Sequence, residues 1–139
     1  MRSLQKFPLG KALISLTAAG TLVGPYLADW NETHIHNPAW PPHAKFHNAQ
    51  TMSMGAGLSL ATLYHLWKPG RSRAALDSAT ITASLYLLTQ LSAGLYPGTA
   101  SADPPREDNW QQLKFALPGL GLVLLGYVVE RYRMTKTRT

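Results

Sequence analysis

Four of the five histidines, His34, His36, His43 and His47, fall within the nineteen residues from Asp29 to His47, DWNETHIHNPAWPPHAKFH. Asp29, Glu32, Trp30, Trp40 and three prolines share that stretch. Neutral imidazoles converging beside Glu32 or Asp29 can bind zinc, iron, copper or manganese. A histidine and a carboxylate at a membrane boundary can instead move a proton to or from a lipid-like substrate, because imidazole titrates near neutral pH. The expected metal ligands are therefore His34, His36, His43, His47 and Glu32, and the expected acid–base groups are Glu32, His43 and His47. The plainer alternative is an interfacial loop whose Trp, His, Asn and Pro residues cap helix ends and satisfy backbone groups.

Geometry depends on the local backbone. His34 and His36 are one residue apart, so in an extended segment both point to one face. Pro41 and Pro42 suit a helix start, and His43 and His47, at i and i+4, then lie together on the helix leading into the next apolar run. Gln50, Thr51 and Met54 descend from His47 on roughly one side. With Trp40, and with Tyr86 and Gln90 from a later helix, Gln50 and Met54 line an expected substrate cavity; a packed polar seam explains the same residues. His65 is 18 residues beyond His47, about 27 Å away at a rise of about 1.5 Å per residue. It belongs to the opposite end, solvated or facing the interface beside Tyr64.

The elements that must position these groups are apolar. Only 14% of the 139 residues are charged, and they sit in clusters between runs that contain almost none. Four expected membrane spans cover about residues 9–29, 48–67, 74–96 and 111–130, each near the length of a bilayer crossing, with the histidine loop at 30–47. The third is semi-polar, so its Thr and Ser residues must bond within the helix or to a neighbour. Asp77 reads there as an interface anchor one turn from Arg73. Gly20 and Gly24 form a small-x-x-x-small pair suited to close helix approach, and Trp30, Trp40 and Trp110 suit an interfacial belt.

With no cysteine, disulfides, thiolate nucleophiles and Cys-based zinc sites are excluded. The net charge of +6 lies at the ends of the apolar runs rather than along one face, which argues against nucleic acid and for membrane topology. Across four crossings, 10 of the 13 Lys and Arg residues fall on one side, leaving Lys45, Arg106 and Lys114 on the other. The positive-inside bias then places both termini in the cytoplasm and the histidines outside. The loop at 97–109 shares the outer side and brings Asp103, Glu107 and Asp108 toward them.

The run His34-x-x-Asn37-Pro38-x-Trp40-Pro41-Pro42-His43-x-x-x-His47 resembles the signature of an uncharacterised family of small four-helix integral membrane proteins. That resemblance implies the fold and a membrane location and carries no activity. A looser similarity joins the His-x-x-x-His spacing to membrane di-iron desaturases and hydroxylases, which use about eight histidines where this chain has five. Architecture alone is similar to emopamil-binding sterol isomerases, an analogy with little weight for function.

The expectation is an all-α, four-transmembrane-helix bundle with both termini cytoplasmic, a multi-pass protein of the inner membrane if bacterial. A His–carboxylate site at its outer interface would bind a divalent transition metal and act on or handle a hydrophobic small molecule or the metal. The alternatives are metal-free acid–base chemistry on a lipid-like substrate and a non-enzymatic assembly protein. Membrane lipid, a hydrophobic substrate and a homo-oligomeric or membrane partner are the expected associations.

Overall fold

The computed structural model describes residues 7–70, 72–103, 106 and 109–136. Among these, four helices and no strand occur: α1 Leu9–Asp29, α2 Pro42–Trp67, α3 Arg73–Ala93 and α4 Gln111–Lys136. Pro42 occupies the first turn of α2, where its missing N–H costs no helical bond. The Ser72 side chain caps α3 by accepting from the Ala75 N–H at 3.4 Å. The link between α2 and α3 is five residues long, with Gly70 at φ +87°, and a connection this short forces the two helices antiparallel.

Side-chain pairs give the same sense to the other neighbours. On α1 and α2, Lys11 meets Leu66 and Asp29 meets Asn48. On α3 and α4, Asp77 meets Tyr127 near one end, and a Cβ on Gly94 would touch the Trp110 ring at the other. Each helix packs against its two chain neighbours, α4 closes back on α1, and α1 touches α3 across the diagonal.

The residues inside are small. Ala18, Ala75, Ala79, Ala83 and Ala116 are buried beside Thr17, Thr21, Ser59 and Thr62, with Ile14, Met52, Leu66, Leu76, Leu87 and Val123 completing the core. Thr62 and Thr82 share a 2.8 Å hydrogen bond between α2 and α3. The large apolar residues point outward: Leu16, Val23, Leu27, Leu60, Ile81, Leu88, Phe115, Leu117, Leu124 and Val128 are all exposed. Two helices, α1 and α4, are long and apolar enough to cross a membrane. In α2 and α3 the buried small and hydroxylated residues lower the average that their exposed leucines raise.

Within the bundle, close approach occurs at Gly10 and Gly126, while Gly20 and Gly24 have open space before them. A Cβ on Gly126 would stand 2.7 Å from the Gly10 carbonyl oxygen and 2.8 Å from Ile14, whereas one on Gly20 or Gly24 would meet nothing within 4 Å. Asp77 looks across to α4 instead of along α3, accepting from the Tyr127 hydroxyl at 2.9 Å and pairing with Arg131 at 3.6 Å. Spacing within a helix could not show that α4 offers both a phenol and a guanidinium. Pro25 has a consequence of its own: lacking an N–H, it leaves the Thr21 carbonyl without a helical donor. Gly55 lies against that oxygen, where a Cβ would come within 3.1 Å.

Gly126→Ala is expected to destabilise the bundle by about 1–3 kcal/mol through overpacking, read as a lower thermal midpoint of the purified protein in detergent. Gly20→Ala, with open space before it, should hold or raise the midpoint, since alanine favours the helix by up to about 1 kcal/mol.

Candidate functional site: the histidine loop and the first turn of α2

The loop between α1 and α2 is built from turns rather than extended chain. The Asn31 carbonyl accepts from the N–H groups of His34 and His36 at 3.2 and 2.9 Å, and His34 accepts in turn from Asn37 at 3.0 Å. The side chain of Asn31 reinforces this core: its Oδ1 accepts from the Thr33 N–H at 2.9 Å and from the Thr33 hydroxyl at 2.6 Å. Asn37 does likewise, accepting from the Ala39 N–H at 2.9 Å just before the prolines. Asx turns of this kind compete locally with helix, which is why α1 stops at Asp29 and α2 waits until Pro42.

Because the segment turns, His34 and His36 do not share a face. His34 sits in the loop's interior, Nδ1 2.7 Å from the Thr33 hydroxyl and Nε2 3.8 Å from Asp29 Oδ1, with its ring edge-on to Trp40 at 5.0 Å. The other oxygen of Asp29 accepts from the Asn48 amide at 2.8 Å, fastening the loop to α2. His36 is exposed and meets Trp30 edge-on at 5.8 Å. Trp40 thus packs on His34 and closes the loop. The expectation that both imidazoles of the His-x-His face one ligand rests on an extended backbone, and the Asn31 turns remove that condition.

On α2 the helical spacing brings two rings together. His43 and His47 lie one turn apart with centroids 4.5 Å apart and Nε2 atoms separated by 3.0 Å. Phe46 flanks both rings, stacked on His43 and edge-on to His47. The far side of His47 meets Gln50, Nδ1 to Oε1 at 3.3 Å, an arrangement that fixes the ring when the amide accepts from Nδ1–H and Nε2 is left as the lone-pair nitrogen. Both histidines are exposed.

Glu32 is exposed on the loop and takes no part in this pair. Among the described residues, no group of three or more His, Asp or Glu side chains comes together as the ligand set of a metal ion would. Of the residues expected to line a cavity, Met54 is 49% exposed while Met52 is buried, so the helix turns Met52 inward and Met54 out. Tyr86 is half-buried against Gly55, where its ring fills the space the glycine leaves. Gln90 is half-buried on α3. Asp103 is exposed, and Glu107 and Asp108 lie outside the described residues. Asn31 and Asn48, which hold the loop, were open to view as Asx-turn and helix-entry residues but carry no signal of their partners.

Comparison with known families places the chain plainly: it belongs to a family of unknown function, DUF6640, whose model matches residues 13–138. No curated protein and no solved structure matches it.

Asp29→Ala removes the acceptor for Asn48 and the carboxylate beside His34 together. Amide hydrogen exchange across residues 31–40 should then rise, with a stability loss of about 1–3 kcal/mol for the unpaired groups. Exchange at His43 and His47 should change little, because α2 holds them independently.

Proposed function

We propose that this is a four-span membrane protein whose outer mouth binds a divalent transition metal through the Nε2 atoms of His43 and His47. The single observation that carries the metal reading is the 3.0 Å separation of those atoms. Two imidazoles on one tetrahedral zinc, each about 2.0–2.1 Å from it, stand about 3.3 Å apart. A small outward rotation of either ring reaches that span, and exposure leaves the remaining positions open to water, to a group on a hydrophobic small molecule, or to a further protein ligand such as Glu32 or His36. Such a site suits metal handling, or Lewis-acid chemistry on a molecule arriving from the adjoining apolar surface. His34 is the weaker candidate, since Thr33, Asp29 and Trp40 already occupy it.

The membrane reading is supported by the inversion of polarity. Small and hydroxylated residues make up much of the interior, while most of the large apolar side chains, Leu16, Leu27, Leu60, Ile81, Phe115 and Leu124 among them, are exposed, a distribution that would leave a soluble protein with far more apolar surface than such proteins tolerate. Lys11, Lys68, Arg73, Arg131, Arg133 and Lys136 lie toward one end of the bundle, and Lys45 and Lys114 toward the other, which supports a cytoplasmic placement of the termini.

The absence of cysteine makes topology directly testable. A single cysteine at Glu32 (Glu32→Cys) should react with an impermeant thiol reagent added outside intact cells, and one at Lys68 (Lys68→Cys) only after permeabilisation; the reverse result, or equal labelling of both, would sink the arrangement. For the metal, isothermal titration with zinc at pH 7.5 should show binding that falls at least tenfold in His43→Ala and in His47→Ala and survives in His36→Ala. Binding should weaken as the pH falls, because metal ligation needs the neutral imidazole. Wild-type and double-variant proteins that bind zinc equally would remove the assignment.

A further inference from the structure

The opposite end of the bundle carries a recess of mixed polar and apolar lining. His65 and Leu66 of α2, Ser72 at the start of α3, Lys11 of α1 and Glu130 of α4 line it. Counted with its open mouth, the unoccupied space is about 290 Å³. We propose that this recess binds the phosphate of an anionic phospholipid headgroup from the leaflet on the Lys11 side. The proposal rests on the membrane reading above and not on the metal site.

Charge is what selects the ligand. Glu130 is 2% exposed and its carboxylate accepts from Arg133 at 2.9 Å, so its charge is met within the protein. Lys11 has no ion-pair partner among the described residues: its ammonium donates to the Leu66 carbonyl and lies 5.2 Å over the Trp67 ring. An ammonium has three donors, and these contacts leave capacity to spare. His65 is on the lining, and its Nδ1 is buried with no hydrogen-bond partner among the described residues. A phosphate oxygen accepting from Lys11 Nζ would use that capacity, and a turn of the His65 ring would bring an Nδ1–H to a second oxygen.

The surroundings match a lipid rather than a free ion. Lys68 and Arg73 stand near the lining residues Leu66, Gly70 and Ser72 in sequence. Leu9 and Trp67, close in sequence to the lining residues Lys11 and Leu66, are exposed, and Trp67 is held by its indole N–H donating to Ser15 at 3.0 Å. Acyl chains entering along α1 and α2 would lie on that apolar surface while the headgroup stays level with the basic side chains.

The test is competition between phosphatidylglycerol and phosphatidylcholine for the purified full chain in detergent, read by native mass spectrometry. Phosphatidylglycerol adducts should dominate. Lys11→Gln and His65→Ala should each reduce the preference about fivefold, the effect of one lost charge or donor near a membrane surface, while Lys11→Arg retains it and Lys45→Gln at the other end leaves it unchanged. Should Lys11→Gln not fold by circular dichroism, His65→Ala decides. Equal adducts of the two lipids, or a preference unmoved by both variants, would overturn the proposal. Displacement by inorganic phosphate at matched concentration would reassign the recess to a free ion and overturn it too. Release of the chain from membranes by alkaline carbonate would take down the membrane reading and this proposal together, whereas firm retention with equal adducts would defeat the proposal alone.

Discussion

Everything in this bundle depends on how closely its backbones approach. At the α1–α4 contact a glycine stands on each side, and neither Gly10 nor Gly126 could carry a side chain without displacing the other's carbonyl. Gly55 performs the same service between α1 and α2, under the ring of Tyr86. Once the backbones are this near, alanine, threonine and serine fill much of the interior around a few larger residues, Ile14, Met52 and Val123, and many of the bulky apolar side chains are turned out. Dispersion contacts and hydroxyl bonds such as Thr62 to Thr82 then join the helices.

The same closeness governs the two ends. Antiparallel neighbours return each polar connection to one of two mouths, so the Asp29–His47 stretch collects at one and Lys11, His65 and Glu130 at the other. The mouths differ in chemistry because their scaffolds differ. At the histidine end, a loop of Asx turns spends most of its polar groups on itself, and the start of α2 sets two ring nitrogens side by side at the surface. At the other end, Glu130 pairs with Arg133 inside the fold, and Lys11 and His65 remain on the lining of a recess. The two clusters differ in what they offer: ring nitrogens side by side at the surface at one end, an ammonium without an ion-pair partner among the described residues at the other.

The His-x-x-x-His pair was fully legible before any coordinates, because a helix puts i and i+4 on one face and two prolines mark where that helix begins. The His-x-His pair was not. Its convergence needed an extended backbone, and whether Asn31 would gather Thr33, His34 and His36 into turns depends on hydrogen bonds that leave no periodic trace. His65 was placed at the far end correctly by helical rise alone, but its buried nitrogen depends on Lys11, Ser72 and Glu130 arriving from three other helices. Met52 and Met54 show the limit in small: both lie below His47, and only the packing of α1 and α3 decides which of them faces in.

By itself the sequence determined the helical class, the number and rough bounds of the helices, the lack of thiol chemistry and the grouping of charge at the ends. Those are local or compositional facts, set by apolar runs, proline and glycine breaks and residue counts. Only the tertiary structure decided which glycines touch, that Asp77 answers to Tyr127 and Arg131, that two histidines rather than four stand together, and that a recess opens at the basic end. Each of those is a contact between residues distant in the chain, fixed by the rotation of one helix against another, and no spacing along a single helix encodes that rotation.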